Sequence, residues 1–539
     1  MKPFDAHGDF QPSADGVGEL RRLAVRGAGV TVLSQGVLLA VQVIATVVLA
    51  RLLTPADFGV VAMVATFSLL LTSFPGFTET VLQWEKIDCF LVSNFFWICI
   101  GTGILLTIAF AAVGPLLARF YGNPQVEQIT VVLSLQIFIG STSVLHLALL
   151  KRAMRFSLVS ANDIVARVVS VAVSISLALA GWGYWALIAG FLAFPISRSI
   201  GAWSLCRWVP SLPRRIAGTE AMLRFAVNVY GRFNVEYLAH NMDNVLVGWR
   251  FGAQPLGLYK KAYDLFALPA SLVVRPLTAV AVAALSRCKR DSVRYRRYLL
   301  SSLALTAFLG MGLGADLTLV GKDLIRLLLG PGWEESGRIF ILLGPGIGLM
   351  FLYATHSWIH LSIGSANRFF RWGLIEFAVT GLLFILGLAW GPEGIAVAWT
   401  VSYGILTVPA FWYAGRPINL GIAPVVATVW KYVLAALLAG CASALVLRVF
   451  PPFAAATGSL GAATRIVITS VLFGTLYLTG VILLHRGWAP LSQLATLLRE
   501  MLPSSWSVTL IPSVVEAGGT SNGAVFQEPT EETSLSGRR

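Results

Sequence analysis

The chain has 539 residues, of which 56% are apolar and 12% are charged, and its formal net charge is +14. A soluble globular protein carries about 25% charged residues, so the composition excludes a set of soluble domains and favours a chain whose solvent is lipid. The Lys and Arg stand in short clusters between apolar blocks, as membrane topology requires, and so do not indicate nucleic acid as a partner.

Apolar segments of membrane-spanning length follow one another along the chain. A helix needs about 20 apolar residues to cross the hydrocarbon core. On this basis the sequence predicts an all-α membrane protein with about fourteen transmembrane helices. The predicted spans, in order, are 28–50, 58–78, 93–117, 126–149, 161–181, 184–206, 221–249, 262–286, 299–320, 337–361, 370–390, 393–414, 428–450 and 464–485.

The charged residues between the spans predict the orientation. Lys and Arg at the ends of a span are counted with the adjoining connection. If the N-terminus is cytoplasmic, the N-terminal segment and the even-numbered connections up to span 13 then hold 22 Lys and Arg. The odd-numbered connections hold 10. Because cytoplasmic connections are enriched in positive residues, we expect both termini in the cytoplasm.

Ionisable residues occur inside several spans. In span 5, Asp163 and Arg167 lie one helical turn apart. They are interpreted either as part of a cavity wall or as a structural i,i+4 ion pair near the cytoplasmic end. Arg198 in span 6 and Arg275 in span 8 are further cations, which either line the cavity or extend toward an interface.

Span 7 carries the longest polar stripe. Asn228, Arg232, Glu236, His240 and Asp243 fall within an arc of about 120° on one helix face. An ionisable group in lipid costs about 2.5–3.5 kcal/mol, so this face must meet a wet cavity or other helices. On the first interpretation Arg232 attracts an anionic headgroup, and the other three ionisable residues exchange protons. On the second, neighbouring charges of the helix neutralise each other.

The membrane region shows no complete motif of an enzyme or of a metal site. His356 and His360 are four residues apart in span 10, but no further ligand stands near them in that span, so no metal is predicted. The predicted spans and their connections contain no GxSxG elbow, and the sequence has no GxxxxGKS/T phosphate loop. We therefore expect a protein that is not an enzyme and binds no cofactor. An ion gradient is then a simpler energy source than a partner ATPase.

Two stretches recur in the second half of the chain. LTPADFGVV at 53–61 corresponds to FGAQPLGLY at 251–259, displaced by 198 residues. KRAMRF at 151–156 corresponds to GSANRF at 364–369, displaced by 213. Six helices separate the copies, so both cross the membrane in the same direction. The sequence therefore predicts a parallel repeat around an axis along the membrane normal, with a cavity between two bundles.

The same stretches resemble the polysaccharide flippases of the multidrug/oligosaccharidyl-lipid/polysaccharide exporter superfamily, in particular its Wzx-like exopolysaccharide and O-antigen branch. They are ARLLTPADFG at 50–59, NFFW at 94–97, MRF at 154–156, Asp243-Asn244 followed by GLY at 257–259, and LGPGW at 329–333. The resemblance covers nearly all of the membrane region. The region around Arg275 departs from it.

The resemblance implies two pseudo-symmetric six-helix lobes and two further helices. The corresponding segments are a cytoplasmic N-terminal segment at 1–27, an N-lobe at 28–206, a C-lobe at 207–414, two additional helices at 415–485 and a cytoplasmic tail at 486–539. The tail is rich in Ser, Thr, Glu and Gly, a composition typical of disorder.

The resemblance also implies a function and partners. A flippase of this kind moves an oligosaccharide linked to undecaprenyl diphosphate from the cytoplasmic to the periplasmic leaflet of a bacterial inner membrane. Membrane lipids, a polysaccharide polymerase and glycosyltransferases are the other partners it implies. Arg side chains suit the diphosphate because a guanidinium offers paired hydrogen bonds to it.

Two other functions remain open at this point. A multidrug or cation extruder of the same superfamily would favour an acidic cavity. A membrane-embedded polysaccharide polymerase or ligase would need a sizeable periplasmic loop with catalytic residues, and no connection between the predicted spans is long enough to provide one.

Overall fold

The computed structural model describes most of the membrane region. The described residues are 3–5, 7–10, 17–72, 75–84, 87–214, 220, 222–224, 226–227, 230, 237, 241–449, 458–488 and 492. Among them the ordered secondary structure is helical, apart from two isolated β-bridges that join Phe4 to Phe10 and Asp9 to Asp88. The predicted all-α membrane class is confirmed.

The first half of the chain forms eight helices. They are α1 Val17–Leu52, α2 Pro55–Thr72, α3 Pro75–Gln83, α4 Cys89–Tyr121, α5 Gln125–Ser141, α6 Val144–Arg152, α7 Phe156–Leu179 and α8 Tyr184–Leu205. Side-chain and glycine caps fix some of their ends. Asp88 accepts a hydrogen bond from the backbone N–H of Leu91 at the start of α4, and Gly122 ends that helix with a φ of 63°.

The second half continues with ten described helices and three short turns. They are α9 Met242–Phe251, α10 Ala253–Pro269, a π-helical turn at Ala270–Val274, α11 Arg275–Arg287, α12 Ser292–Leu329, α13 Glu334–Ala354, α14 His356–Ile363, α15 Ala366–Gly387, a 3₁₀ turn at Leu388–Trp390, α16 Gly391–Gly415, a 3₁₀ turn at Arg416–Ile418, α17 Ile422–Val449 and α18 Gly458–His485.

Twelve helical stretches within the described residues are long and apolar enough to cross a membrane. They contain the predicted spans with two differences. The stretch Asn367–Ile418 is 52 residues long and holds two predicted spans, which the turn at Leu388–Trp390 separates. The predicted span 221–249 is described only in part and is not among the twelve stretches.

The order and the breaks of the helices recur in the second half. A short helix follows a longer one in α5 and α6, and the same arrangement returns in α13 and α14. At each break a threonine hydroxyl donates to the carbonyl oxygen three residues earlier, from Thr142 to Ile139 and from Thr355 to Leu352, both at 2.7 Å. Such side-chain bonds compete with the helical backbone. The two threonines are 213 residues apart, which is the displacement found in the sequence.

The last two helices are held to α12 by polar contacts. Both α17 and α18 pack against α12 and against each other. The Arg465 guanidinium forms an ion pair with Asp323, and the Ser470 hydroxyl donates to Asp316 at 3.1 Å. Helices α17 and α18 therefore form an addition to the repeated bundle, attached on the side of its second copy.

Candidate functional site

A cavity of about 710 Å³ lies between the two copies of the repeat. Residues of α1, α2, α3 and α5 to α8 form its wall on one side. On the other side stand residues of α10 together with Tyr237 and Asn241. The cavity runs from Phe58, near the start of α2, to Thr72 at the end of that helix and Thr78 in α3. The volume is within the usual range of ligand pockets.

Five cationic side chains line this cavity. They are Lys151, Arg167, Arg198, Lys260 and Lys261. Asp264 is the carboxylate among the described lining residues. A site with this balance attracts anions, and its low-dielectric walls strengthen that attraction.

Phe194 lies between the two arginines of the cavity. The Arg167 guanidinium carbon is 4.5 Å from the centre of the Phe194 ring, and that of Arg198 is 5.9 Å from it. The Arg198 Nε also donates to Asp163 at 2.7 Å, with both side chains partly exposed. Arg167 forms no ion pair with any described residue. Cation–π contact thus orients Arg167 while its hydrogen-bond donors stay free for a ligand.

The lysines of α10 differ in their partners. Lys260 forms an ion pair with Asp264, one helical turn further on, at 2.6 Å. The Lys261 ammonium lies 4.0 Å from the centre of the Phe58 ring, which belongs to the other copy of the repeat. Of the five cavity cations, Arg198 and Lys260 have a carboxylate partner within the described residues. The excess of three cations favours a ligand with more than one negative charge.

The two copies touch at two glycines where α2 crosses α10. A Cβ atom on Gly59 would lie 1.7 Å from the carbonyl oxygen of Ala253, and one on Gly257 would lie 1.8 Å from that of Pro55. The displacement of 198 residues relates Gly59 to Gly257 and Pro55 to Ala253. The two contacts are therefore repeat-related, and each needs a residue without a Cβ atom. We call this pair of contacts the glycine crossing.

Two further contacts join the copies at the same end. The Trp333 Nε1 donates to the carbonyl oxygen of Ala50 at 2.9 Å. In the related position, Gly248 is packed so closely that an added Cβ would lie 3.0 Å from the Tyr121 ring. Ala50 and Gly248 are again 198 residues apart. Together with the glycine crossing, these contacts close the cavity at the end where α2 and α10 begin.

Only some of the residues predicted in spans 5, 6 and 8 line the cavity. Arg167 and Arg198 line the cavity. Asp163 supports Arg198 from the neighbouring helix, and the i,i+4 ion pair suggested for Asp163 with Arg167 is not formed. Arg275 is exposed at the start of α11, outside the cavity lining.

Of the five residues in the predicted polar stripe of span 7, Asp243 is among the described residues. Asp243 is fully buried and accepts hydrogen bonds from the Tyr259 hydroxyl at 2.7 Å and the Trp399 Nε1 at 3.0 Å. It stands apart from the cavity lining, in a buried cluster of the second copy. The other four residues, Asn228, Arg232, Glu236 and His240, lie outside the described residues, and their assignment to the cavity stays a prediction.

Sequence reasoning missed Lys151, Lys260, Lys261 and Asp264. The two lysines of α10 were assigned to a connection because the apolar run begins at 262. The repeat contained the signal that corrects this. Since α2 begins at Pro55, its displaced equivalent begins at 253, which puts both lysines in the third turn of a helix that faces the other copy.

A duplicated helical bundle in the membrane, with a charged central cavity that is closed at one end, is typical of an alternating-access transporter. The family model described as polysaccharide biosynthesis protein matches residues 48–338. The chain belongs to this family.

Curated relatives cover most of the chain. The succinoglycan biosynthesis transport protein ExoT of Rhizobium meliloti (strain 1021) is 22% identical over 392 residues, 72% of this chain and 79% of that protein. The teichuronic acid biosynthesis protein TuaB of Bacillus subtilis (strain 168) is 23% identical, over 66% and 74% of the two chains. The lipopolysaccharide biosynthesis protein WzxC of Escherichia coli (strain K12) is 20% identical, over 60% and 67%.

Solved structures share the fold. The lipid II flippase MurJ in an inward closed conformation has a TM-score of 0.67 and 16% identity, over 86% of this chain and 99% of that chain. An inward-facing multidrug resistance MATE family transporter of the MOP superfamily has a TM-score of 0.58 and 12% identity, over 70% and 94%. With the family match, these likenesses confirm the resemblance to polysaccharide flippases of that superfamily.

Proposed function

We propose that the protein is a flippase for an oligosaccharide linked to undecaprenyl diphosphate. The observation that carries the proposal is the cationic cavity between the two copies of the repeat. A diphosphate that joins a lipid to a sugar keeps a negative charge on each phosphate, and three cavity cations have no carboxylate partner among the described residues. Guanidinium groups bind phosphate oxygens in pairs, which makes Arg167 and Arg198 its principal contacts. Arg232 remains a further candidate.

Transport would proceed by alternating access. The headgroup enters the cavity from the open side. The lipid extends through a gap between the two bundles, so that its tail stays in the bilayer. Separation at the glycine crossing and closure at the opposite end would then expose the headgroup to the other side of the membrane. Differential affinity for the two states, rather than tight binding alone, moves the substrate.

The charge and the position of the cavity argue against the two other functions. A cation extruder would have to bind its substrate against three positive charges that have no carboxylate partner among the described residues. A polymerase or ligase would need catalytic groups outside the membrane, whereas the cavity lies among helices. The names of the relatives ExoT, TuaB and WzxC, which refer to polysaccharide transport or biosynthesis, support a polysaccharide precursor as the substrate.

A strain without the protein should accumulate its substrate as a lipid-linked oligosaccharide. The extracted lipid and the purified protein, in liposomes, should bring the oligosaccharide to both leaflets, as measured by periodate oxidation from outside. When labelled sugar nucleotides are added to these liposomes, the oligosaccharide should not be elongated. Product formation without movement between leaflets would instead assign the protein to polymerases or ligases.

We also propose that the protein resides in the bacterial inner membrane with both termini in the cytoplasm. Reporter fusions after residues 120 and 330 should be active in the periplasm, because both sites lie at the end closed by the glycine crossing. Fusions after 215 and 290 should be active in the cytoplasm. Opposite results at two of the four sites would reverse the orientation and the direction of transport.

A further inference from the structure

Two histidines of α14 are buried in the second copy of the repeat, outside the cavity lining. His356 is 3% exposed and His360 is 1% exposed. Their ring centres are 6.0 Å apart. In each ring Nδ1 has a hydrogen-bond partner, whereas Nε2 is buried without one among the described residues. Two adjacent buried rings, each with an unpartnered nitrogen, point to a ligand.

The hydrogen bonds indicate which nitrogen carries the proton. His356 Nδ1 faces the backbone carbonyl oxygen of Tyr353, which can only accept, so Nδ1 is the protonated nitrogen. His360 Nδ1 faces the Ser365 hydroxyl at 3.3 Å, and that hydroxyl donates its own hydrogen to the His360 carbonyl oxygen. Both Nε2 atoms are therefore left with a free lone pair, and the ligand that such a lone pair takes most simply is a proton.

Aromatic and charged groups surround the pair. The Trp372 Nε1 donates to the Tyr353 hydroxyl at 2.9 Å, and this hydroxyl is also hydrogen-bonded to Glu376. Titratable or charged groups stand on the elements around the pair. They are Tyr353 of α13, Arg368 and Glu376 of α15, Tyr403 and Tyr413 of α16, and Tyr295 of α12, with Lys289 bonded to the last carbonyl of α14. Helix α11, which also packs against α14, carries the exposed Arg275 and Arg287 at its two ends. The positive charge of Arg368 opposes a charged His360 imidazole.

We propose that His356 and His360 form a proton-binding site that couples the flippase to a pH gradient. In the present state the pair is closed off from water, and an imidazolium without a partner is costly there. A state that admits water to α14 allows protonation. The proton is taken from water on one side and returned to water on the other as the site opens and closes, with no other bond made or broken. The inference rests on the proposed function, since it identifies the ion that drives that transport.

The test uses liposomes that hold the purified full chain and the lipid-linked oligosaccharide extracted from the deletion strain. A gradient of one pH unit should shift the distribution of the oligosaccharide between leaflets about tenfold for each coupled proton. The double variant His356→Gln with His360→Gln should still equilibrate the oligosaccharide but lose the shift. A wild-type protein that equilibrates the lipid without any response to pH, or a double variant that responds fully, would overturn the proton site and leave the flippase intact.

His146 provides the matched control. It is a buried histidine of α6, the equivalent of α14 in the first copy, and its Nε2 is bonded to the Trp208 carbonyl oxygen while its Nδ1 has no partner among the described residues. It therefore shares the single unpartnered ring nitrogen, but its ring packs against Trp203 and Trp208 instead of a second histidine. His146→Gln should keep the response to pH. A second measurement does not depend on transport. In the protein labelled with nitrogen-15 histidine, two imidazoles whose signals change on protonation should disappear from the spectrum of the double variant. If no such pair is found, the proposal fails even when no lipid moves.

Discussion

Gly59→Val should lower transport by about a hundredfold or more. The added Cβ would have to occupy space 1.7 Å from the carbonyl oxygen of Ala253, so α2 and α10 must move apart. The added Cβ would meet backbone atoms, which cannot move aside as the end of a flexible side chain could. The state closed at the glycine crossing is then lost or rare, and a transporter that spends one hundredth of its time in a required state works correspondingly slowly. Transport of the lipid-linked oligosaccharide in liposomes measures the effect.

The position of the defect can be measured separately from its size. In a background without the five native cysteines, a Cys at Leu49, which lines the cavity, should react with an impermeant thiol reagent from the closed end only when Gly59→Val is present. Gly257→Val should have the same effect, because the two contacts are repeat-related. Gly101→Val is the control, since a Cβ there meets nothing within 4 Å. Normal transport by Gly59→Val with an unreactive Cys at position 49 would show that the crossing does not open and close.

The repeat could be predicted because its most constrained residues are where the copies meet. The match of 53–61 with 251–259 contains both glycines of the crossing and both carbonyl groups that they face. A position that tolerates no Cβ atom restricts the sequence in both copies. The weak similarity at a displacement of 198 residues therefore had a geometric cause, although the sequence alone did not show that the two stretches pack against each other.

The partners of the charged residues were harder to predict. Spacing along one helix predicts i,i+4 pairs, and it suggested Asp163 with Arg167. The structure pairs Asp163 with Arg198 of the next helix instead. Likewise Asp243, on a face expected to meet either a wet cavity or other helices, accepts its hydrogen bonds from Tyr259 and Trp399 in a buried cluster. Contacts between helices depend on rotation and height, which the periodicity of one helix does not specify.

Arg167→Ala should lower transport by about tenfold to a hundredfold. A hydrogen bond to a charged group contributes about 1.5–3 kcal/mol, and 1.4 kcal/mol corresponds to a factor of about ten. Arg167 has the free guanidinium of the cavity, held against Phe194 and without an ion pair among the described residues. Arg167→Lys should recover part of the loss, because an ammonium keeps the charge but not the paired donors. The rate of leaflet exchange at several lipid concentrations should show a raised KM.

Two comparisons separate substrate binding from a structural role. Arg275→Ala removes an exposed arginine outside the cavity lining and should leave transport unchanged. Arg198→Gln combined with Asp163→Asn removes an ion pair without leaving a charge unpaired. If the role of Arg198 is only to form the ion pair with Asp163, the double variant transports normally. If Arg198 binds the diphosphate, the double variant is as defective as Arg198→Gln alone. Equal transport by Arg167→Ala and Arg275→Ala, with normal amounts of both in the membrane, would contradict a cationic cavity that binds the headgroup.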